Sequence, residues 1–347
     1  MSVVAVTGVA GYLGQRLLSH LEEDPDVTRV IGVDAHEPAG SPKLEFHQLD
    51  VRDAALAKVL VGVDTIVHLA FQHDPIRNEG LMWDINVGGT RNVLEAAAAT
   101  GVRKIVYPSS ATVYGAHPDN VVPLDEASPL RANTDFSYAA HKLETERLIE
   151  RFHGEHPDVI VTVIRSAIVF GPTVENFMSR MLEAPRLMTV RGFEPPLQLI
   201  HEQDIASLLA FCVSQDLDGV YNAAADGWMS ADEVVGLSGK KRVELPEVVA
   251  FSMAERLWRT GLTSAPPGEL HYVMHPWVVD TSKLRAAGWQ PAHSNRETLL
   301  EALEAHRNWI AVGRARMRKD SLAKGAAATL GAIGAMALVR RARKRPG

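Results

Sequence analysis

Short, continuously apolar runs alternate with helix-like segments over the first 170 residues. The runs at 3–7, 30–34, 65–69, 104–108 and 159–165 read as strands, and a further short strand precedes Asp50. The segments 12–23, 54–60, 86–100 and 138–153 read as helices. The strand runs lack the polar–apolar alternation of a half-solvated sheet, which predicts strands buried on both faces of a parallel sheet. Strands and helices in strict alternation predict an α/β fold, an open doubly wound sheet. After Gly171-Pro172 the texture becomes mixed, punctuated by Pro195-Pro196 and Pro266-Pro267. The expected organisation is a domain at 1–172, with returns near 197–212 and 272–283. A smaller α/β substrate region at 173–310 and a tail at 311–347 follow. No internal repeat is seen.

At roughly 150 residues per domain, 347 residues suggest about two domains. A hydrophobic share of 46% with 22% charged residues excludes a disordered chain, a collagen-like repeat and a disulfide-stapled mini-protein. The formal charge of −6 conceals an asymmetry. Arg314 to Arg345 hold ten Lys/Arg against one Asp, a local +9 that leaves −15 for the rest. The acidic body argues against a nucleic-acid partner, and any anionic surface would meet the tail alone. The single Cys212, in the apolar run 208–213, permits neither an intramolecular disulfide nor a cysteine-based zinc site. No cationic segment precedes the first apolar run, so residues 2–6 read as a strand and the body as cytoplasmic.

Within the tail, residues 325–339 carry no charge and lie between two basic clusters. Fifteen residues fall short of the ~20 that a spanning helix needs. Ala327, Gly331 and Ala335 form a small-residue row suited to close helix packing. Contact with a membrane surface through 322–345 is one expectation; a packed helix or an unstructured tail is the other.

Gly8, Gly11 and Gly14 stand in a loop between the first strand and the first helix, in the spacing G-x-x-G-x-x-G. Glycines there allow a tight turn, a close approach of backbone N–H groups to a pyrophosphate, and close strand–helix packing. The helix start at Tyr12 and Leu13 would add the positive end of its dipole. Asp34 ends the second strand, 20 residues beyond Gly14, where an acid bonds the ribose hydroxyls of a dinucleotide. Ala35-His36-Glu37 offers no Arg or Lys for a 2′-phosphate, so NAD is expected rather than NADP. Asp34 could alternatively be a plain turn acid. Asp50, followed by Val51, is placed near the adenine, while Asp53 reads equally as a cap of the next helix.

Tyr138 and Lys142 are four residues apart, on one face of a helix. A phenol with a pKa near 10 is a poor base at neutral pH, and a neighbouring cation favours its phenolate. Such a pair can exchange a proton with a secondary alcohol or carbonyl while hydride moves to or from nicotinamide. Ser109 and Ser110 follow the 104–108 strand, at the strand end where ligands bind in doubly wound sheets. His271 and His275 lack a third ligand and His201-Glu202 lacks a second His, so no metal is expected.

Together these pieces resemble the extended short-chain dehydrogenase/reductases, in the NAD-dependent epimerase/dehydratase branch. The matching segments are TGVAGYLG at 7–14, VD at 33–34, DVRD at 50–53, HLA at 68–70 and NVGGTRNVLEAA at 86–97. They continue with SSATVYG at 109–115, YAAHK at 138–142, IRSAIVFGP at 164–172, LIHEQDIA at 199–206 and GVYNAAADG at 219–227. The resemblance implies a Rossmann-type NAD-binding domain followed by a smaller substrate domain. It implies Ser110, Tyr138 and Lys142 as catalytic residues, and Leu69, Ala70 and Asn86 beside the cofactor. It also implies a small-molecule substrate and a homodimer.

Three departures narrow the choice. Ala111 and Thr112 stand where 4,6-dehydratases place an Asp-Glu pair, so dehydration is not expected. Ile168 stands where nucleotide-sugar enzymes usually place an Asn on the diphosphate, and 196–201 lacks their usual Arg. The expected activity is an NAD-dependent oxidoreductase or epimerase of a secondary alcohol, of the nucleotide-sugar epimerase kind. The alternatives are an oxidoreductase of a hydrophobic alcohol, resembling the hydroxysteroid dehydrogenases, and a non-catalytic NAD-binding regulatory protein.

Overall fold

A computed structural model describes residues 2–319 except 264, 313 and 314. The expected membrane contact through 322–345 lies outside the described residues. The first half contains β1 (Ser2–Thr7), α1 (Tyr12–Glu23), β2 (Val27–Asp34), β3 (Leu44–Gln48), α2 (Leu56–Val59) and β4 (Thr65–His68). Then come α3 (Glu79–Trp83), a π turn at Asp84–Gly88, α4 (Gly89–Thr100), β5 (Lys104–Pro108), a 3₁₀ turn at Ala111–Tyr114, α5 (Ser137–Glu155) and β6 (Ile160–Ser166). The second half contributes β7 (Ile168–Phe170), α6 (Phe177–Glu183), β8 (Leu187–Val190), β9 (Leu199–His201), α7 (Glu202–Ser214) and β10 (Gly219–Ala223). It closes with α8 (Ala231–Ser238), β11 (Arg242–Leu245), α9 (Glu247–Thr260), a 3₁₀ turn at Pro267–Val273, α10 (Ser282–Ala286), α11 (Asn295–His306), β12 (Trp309–Val312) and β13 (Ala315–Arg318).

Seven strands form one sheet in the order β10-β6-β5-β4-β1-β2-β3, with every pairing parallel. The unbroken apolar runs of the sequence have a simple cause here. Val4, Val6, Val67, Val106 and Ile164 face a core built with α1 and α7. Their neighbours Ala5, Ile66, Ile105 and Val163 face a second core built with α2, α4 and α5. Both faces are dry, so both alternate positions are predominantly apolar.

The region 197–212 supplies β9 and most of α7, whose buried face closes the first core. The region 272–283 adds no strand to the seven-stranded sheet; Val279 makes a single parallel bridge to Leu124. The 310/311 division falls inside β12, and β12 with β13 forms an antiparallel hairpin. Arg316 of that hairpin is held by Glu183 and Glu175, so part of the first basic cluster is a structural ion-pair partner. Among the described residues no helix is long and apolar enough to cross a membrane.

Lys104 is fully buried at the start of β5 and caps the C-terminus of α7. Its ammonium donates to the carbonyls of Val213 (2.9 Å) and Gln215 (2.8 Å) and pairs with Asp216 (2.7 Å). Lys104→Met should strand these carbonyls and cost about 1–3 kcal/mol, read as a lower urea midpoint with an unchanged m-value.

Candidate active site

The glycine loop is built by close approach. Gly8 has φ +73°, and a Cβ there would lie 2.7 Å from the Ala70 nitrogen. A Cβ on Gly14 would lie 2.4 Å from the Gly8 oxygen, so the first turn of α1 rests directly on the loop. Asp34 accepts the Ala10 N–H (3.0 Å) and the His36 N–H (3.0 Å), which ties the end of β2 to the same loop. The loop, Leu69, Ala70 and Asp34 thus converge at the carboxyl ends of β1, β2 and β4. Gly11 caps α1, leaving the first N–H groups of the helix at this edge.

The side chains of Tyr12 and Leu13 turn away from that edge. The Tyr12 hydroxyl donates to Glu202 (2.5 Å), and Arg16 pairs with the same carboxylate (3.0 Å). Leu13 packs on the first core. Asp50 is clamped by Arg52 (2.7 Å), which holds its carboxyl below the usual range; Arg52 also reaches Asp84 (2.7 Å). Val51 is buried against Gly89.

Ser110, Tyr138 and Lys142 come together at the end of β5. Ser110 begins the 3₁₀ turn, and its Oγ accepts from the Thr112 N–H (3.2 Å) and hydroxyl (3.0 Å). Burial pushes the Tyr138 phenol up to about 12, and a hydrogen bond with Ser110 opposes the rise. Lys142 is 3% exposed and donates to the Pro108 carbonyl (2.8 Å) and the Tyr107 hydroxyl (3.2 Å). Its ammonium sits 3.9 Å from the Phe71 ring centre and 6.0 Å from that of Tyr138. Burial pulls it down to about 7, with Glu146 acting in the opposite sense.

Asn86 falls in the π turn between α3 and α4. Its amide accepts the Gln72 N–H (2.7 Å), donates to the Gln72 carbonyl (3.1 Å) and meets His141 Nδ1 (3.2 Å). It therefore fixes the 70–72 loop against the helix that carries Tyr138 and Lys142.

The sequence reading overlooked several groups that shape the site. Phe71, His73 and Phe136 surround Tyr138 at ring-centre distances of 5.7, 5.9 and 5.6 Å. Beneath it, Glu146 accepts from Ser109 and takes a two-pronged pair from Arg165 (2.7 and 3.0 Å). Glu269 Oε2 is buried without a hydrogen-bond partner, and burial raises this carboxyl to about 8. The i, i+4 spacing of Lys142 and Glu146 was the available signal for Glu146. The others come from loops whose convergence no local pattern records.

His201, His293 and Glu301 approach closely enough to suggest a metal. The two imidazoles, however, stack at 3.8 Å and 25°. Nearly parallel rings do not aim their lone pairs at one point, and His201 Nδ1 already accepts the Gln203 N–H (3.2 Å). His271 pairs with Asp135 (3.0 Å) and His275 packs on Phe193.

A sequence model of the NAD dependent epimerase/dehydratase family matches residues 4–224. The chain belongs to this family. The family is one of NAD-dependent enzymes, and the cofactor of this protein is NAD. An uncharacterized protein of Mycobacterium tuberculosis (strain ATCC 25618 / H37Rv) is 30% identical over 300 residues, 83% of this chain and 80% of that one. The N-acetyl-alpha-D-glucosaminyl-diphospho-ditrans,octacis-undecaprenol 4-epimerase of Escherichia coli O157:H7 is 35% identical over 173 residues, 48% of this chain and 49% of that one. Among solved structures, MoeE5 in complex with UDP-glucuronic acid and NAD superposes with a TM-score of 0.69 at 23% identity, covering 88% of this chain and 98% of that one. The UDP-glucose 4-epimerase of Thermotoga maritima gives 0.68 at 22%, with 88% and 98% covered. These two likenesses establish the shared fold.

Proposed function

We propose that the protein oxidises a secondary alcohol with NAD, using Tyr138 as the proton acceptor. The observation that carries this reading is the packing of Tyr138 on Phe71, next in sequence to Ala70, with the buried Lys142 ammonium 3.9 Å from the same ring and Ser110 just beyond the end of β5. The free N–H groups of α1 and the Asp34 carboxylate fit a dinucleotide, and the absent side chains at Gly8 and Gly14 let loop, strand end and helix start close up into one edge. Bound NAD supplies the hydride acceptor at the substrate carbon.

The chain's own residues then handle the proton. Ser110 donates to the alcohol oxygen and aligns it with the phenol. Tyr138 takes the hydroxyl proton as the C–O bond gains double-bond character. Lys142, in its charged form, stabilises the Tyr138 phenolate that accepts this proton. In the reverse direction the same phenol returns the proton. An epimerase uses this set twice, and the E. coli 4-epimerase relative favours that second reading. Ala111 and Thr112 beside Ser110 offer no carboxyl pair for loss of water.

The test is incubation of the protein with NAD and panels of nucleotide sugars and apolar secondary alcohols. Net NADH absorbance marks a dehydrogenase, and an inverted product without net NADH marks an epimerase. Absence of both across the panels would overturn this reading. Asp34→Ala should weaken NAD binding about 10–100-fold, as expected for losing hydrogen bonds to a charged group worth ~1.5–3 kcal/mol. Titration of cofactor into the purified variant measures this directly.

A further inference from the structure

Behind the Tyr138 cleft, α6, β8, α8 and the 3₁₀ segment at Pro267–Val273 enclose a cavity of about 90 Å³. Met181, Leu187, Phe193, Val234 and Trp277 supply its walls. Ala167 and Tyr272 also line it and pack in one cluster with Phe136 and Tyr138. Tyr272 donates to the Thr112 carbonyl (2.9 Å), and its ring lies 5.5 Å from Phe136, which itself touches Tyr138. Phe193, Pro195 and Pro196 also form a wall of a larger open depression of about 710 Å³.

The polar groups of the cavity are already spent. Arg242 is the only charged side chain in its lining among the described residues. It is held by Glu194 (3.0 Å), Glu244 (3.1 Å) and Asp232 (3.6 Å), three carboxylates for one cation. Gln198 gives its amide N–H groups to the Val279 and Gly227 carbonyls (both 3.1 Å) and accepts the Val279 N–H (2.8 Å). A diphosphate placed here would meet three carboxylates around one guanidinium and a glutamine amide already bonded to the backbone, and burial of such a charge without partners is costly. A hydrocarbon would meet the methionine, leucine, valine and aromatic surface it displaces from water.

We infer that this cavity is the binding site for an uncharged hydrocarbon group carried by the substrate alcohol. The inference rests on the reaction proposed above. The reacting C–OH sits at Tyr138 and Ser110, and the apolar body passes between Ala167 and Tyr272 into the cavity.

The experiment is calorimetric titration of the NAD-loaded full chain with 2-butanol, 2-pentanol, 2-hexanol and 2-octanol, and separately with UDP. Each added methylene should tighten binding about fourfold until the cavity is filled. UDP should neither bind comparably nor displace 2-octanol. Met188→Glu, at a half-exposed lining position, should weaken 2-octanol binding at least tenfold with NAD affinity unchanged, which reports an intact fold. Equal affinities along the series, or displacement of 2-octanol by UDP, would overturn the inference. If those affinities are flat while oxidation still depends on Tyr138, the cavity assignment falls and the reaction stands. If chain length matters but Tyr138→Phe oxidises at full rate, the reaction falls instead.

Discussion

Tyr138→Phe should lower the rate of alcohol oxidation by about 10²–10⁴-fold while leaving NAD affinity unchanged, because it removes the proton acceptor and keeps the ring. Single-turnover NADH formation and cofactor titration separate the two effects. The ring itself is structural, packed among Phe71, His73 and Phe136, so phenylalanine preserves the cleft. The pH dependence follows from the surroundings. Oxidation needs the phenolate, so its rate should rise with pH, and reduction should fall. Burial raises the phenol to about 12 even with the hydrogen bond to Ser110 opposing it, and a cation at Lys142, 6.0 Å from the ring centre, favours the phenolate. Lys142→Met should therefore move the limb of kcat/KM to higher pH.

Lys142 also leaves a mark on stability. Its ammonium is pulled down to about 7 from an ordinary value of 10.5. Between those values the unfolded chain binds more protons than the folded one, so stability of the cofactor-free protein rises with pH across that window. Below about pH 7 the cost of the buried charge is fully present. Denaturation of wild type and Lys142→Met should accordingly show the variant gaining most near pH 7 and least near pH 10.

Glu146→Ala should give the largest loss of folding stability, about 3–5 kcal/mol, because it leaves the Arg165 guanidinium buried and uncompensated. Arg165 is 5% exposed and Glu146 6% exposed, so water cannot take over the lost partner. The guanidinium further donates to the Tyr114 hydroxyl (3.0 Å), which donates to Asn222 (2.7 Å), so the damage reaches from β6 to β10. A double variant, Glu146→Ala with Arg165→Met, should recover part of the loss by removing the stranded charge. Urea denaturation of the two singles and the double yields the coupling energy, and strict additivity would contradict the account. Glu146 also opposes the burial of Lys142, so the single variant should lose rate at neutral pH beyond its loss of stability.

Much of this architecture was legible because it is periodic or local. The runs at 104–108 and 65–69 match β5 and β4 almost to the residue, since double-sided burial leaves most positions apolar. The loop from Gly8 to Gly14 was legible for a different reason: each glycine removes a specific backbone collision. The rest depended on tertiary contact. β2 extends three residues earlier than its apolar run, through the exposed Thr28 and Arg29. β10 was visible only as a family segment, because Gly219 and Asn222 dilute its apolar character and its pairing with β6 spans more than fifty residues. The helix expected from residue 86 is one stretch from Glu79 to Thr100 interrupted by a π turn, and that turn is what aims Asn86. The burial of Lys104 and Glu146 left no local signal, since burial of a charge is decided by distant partners.

The position of β10 has a practical corollary for dissecting the chain. It is the outermost strand beside β6, and it arrives only after the excursion through α6, β8 and α7. A polypeptide cut at Pro172 would lack α7 and β10 together, baring Val106 and Ile164 on one face and a raw hydrogen-bonding edge on β6. Such a fragment should form inclusion bodies. Chimeras that exchange substrate specificity must graft segments between these returns and leave 199–223 in place.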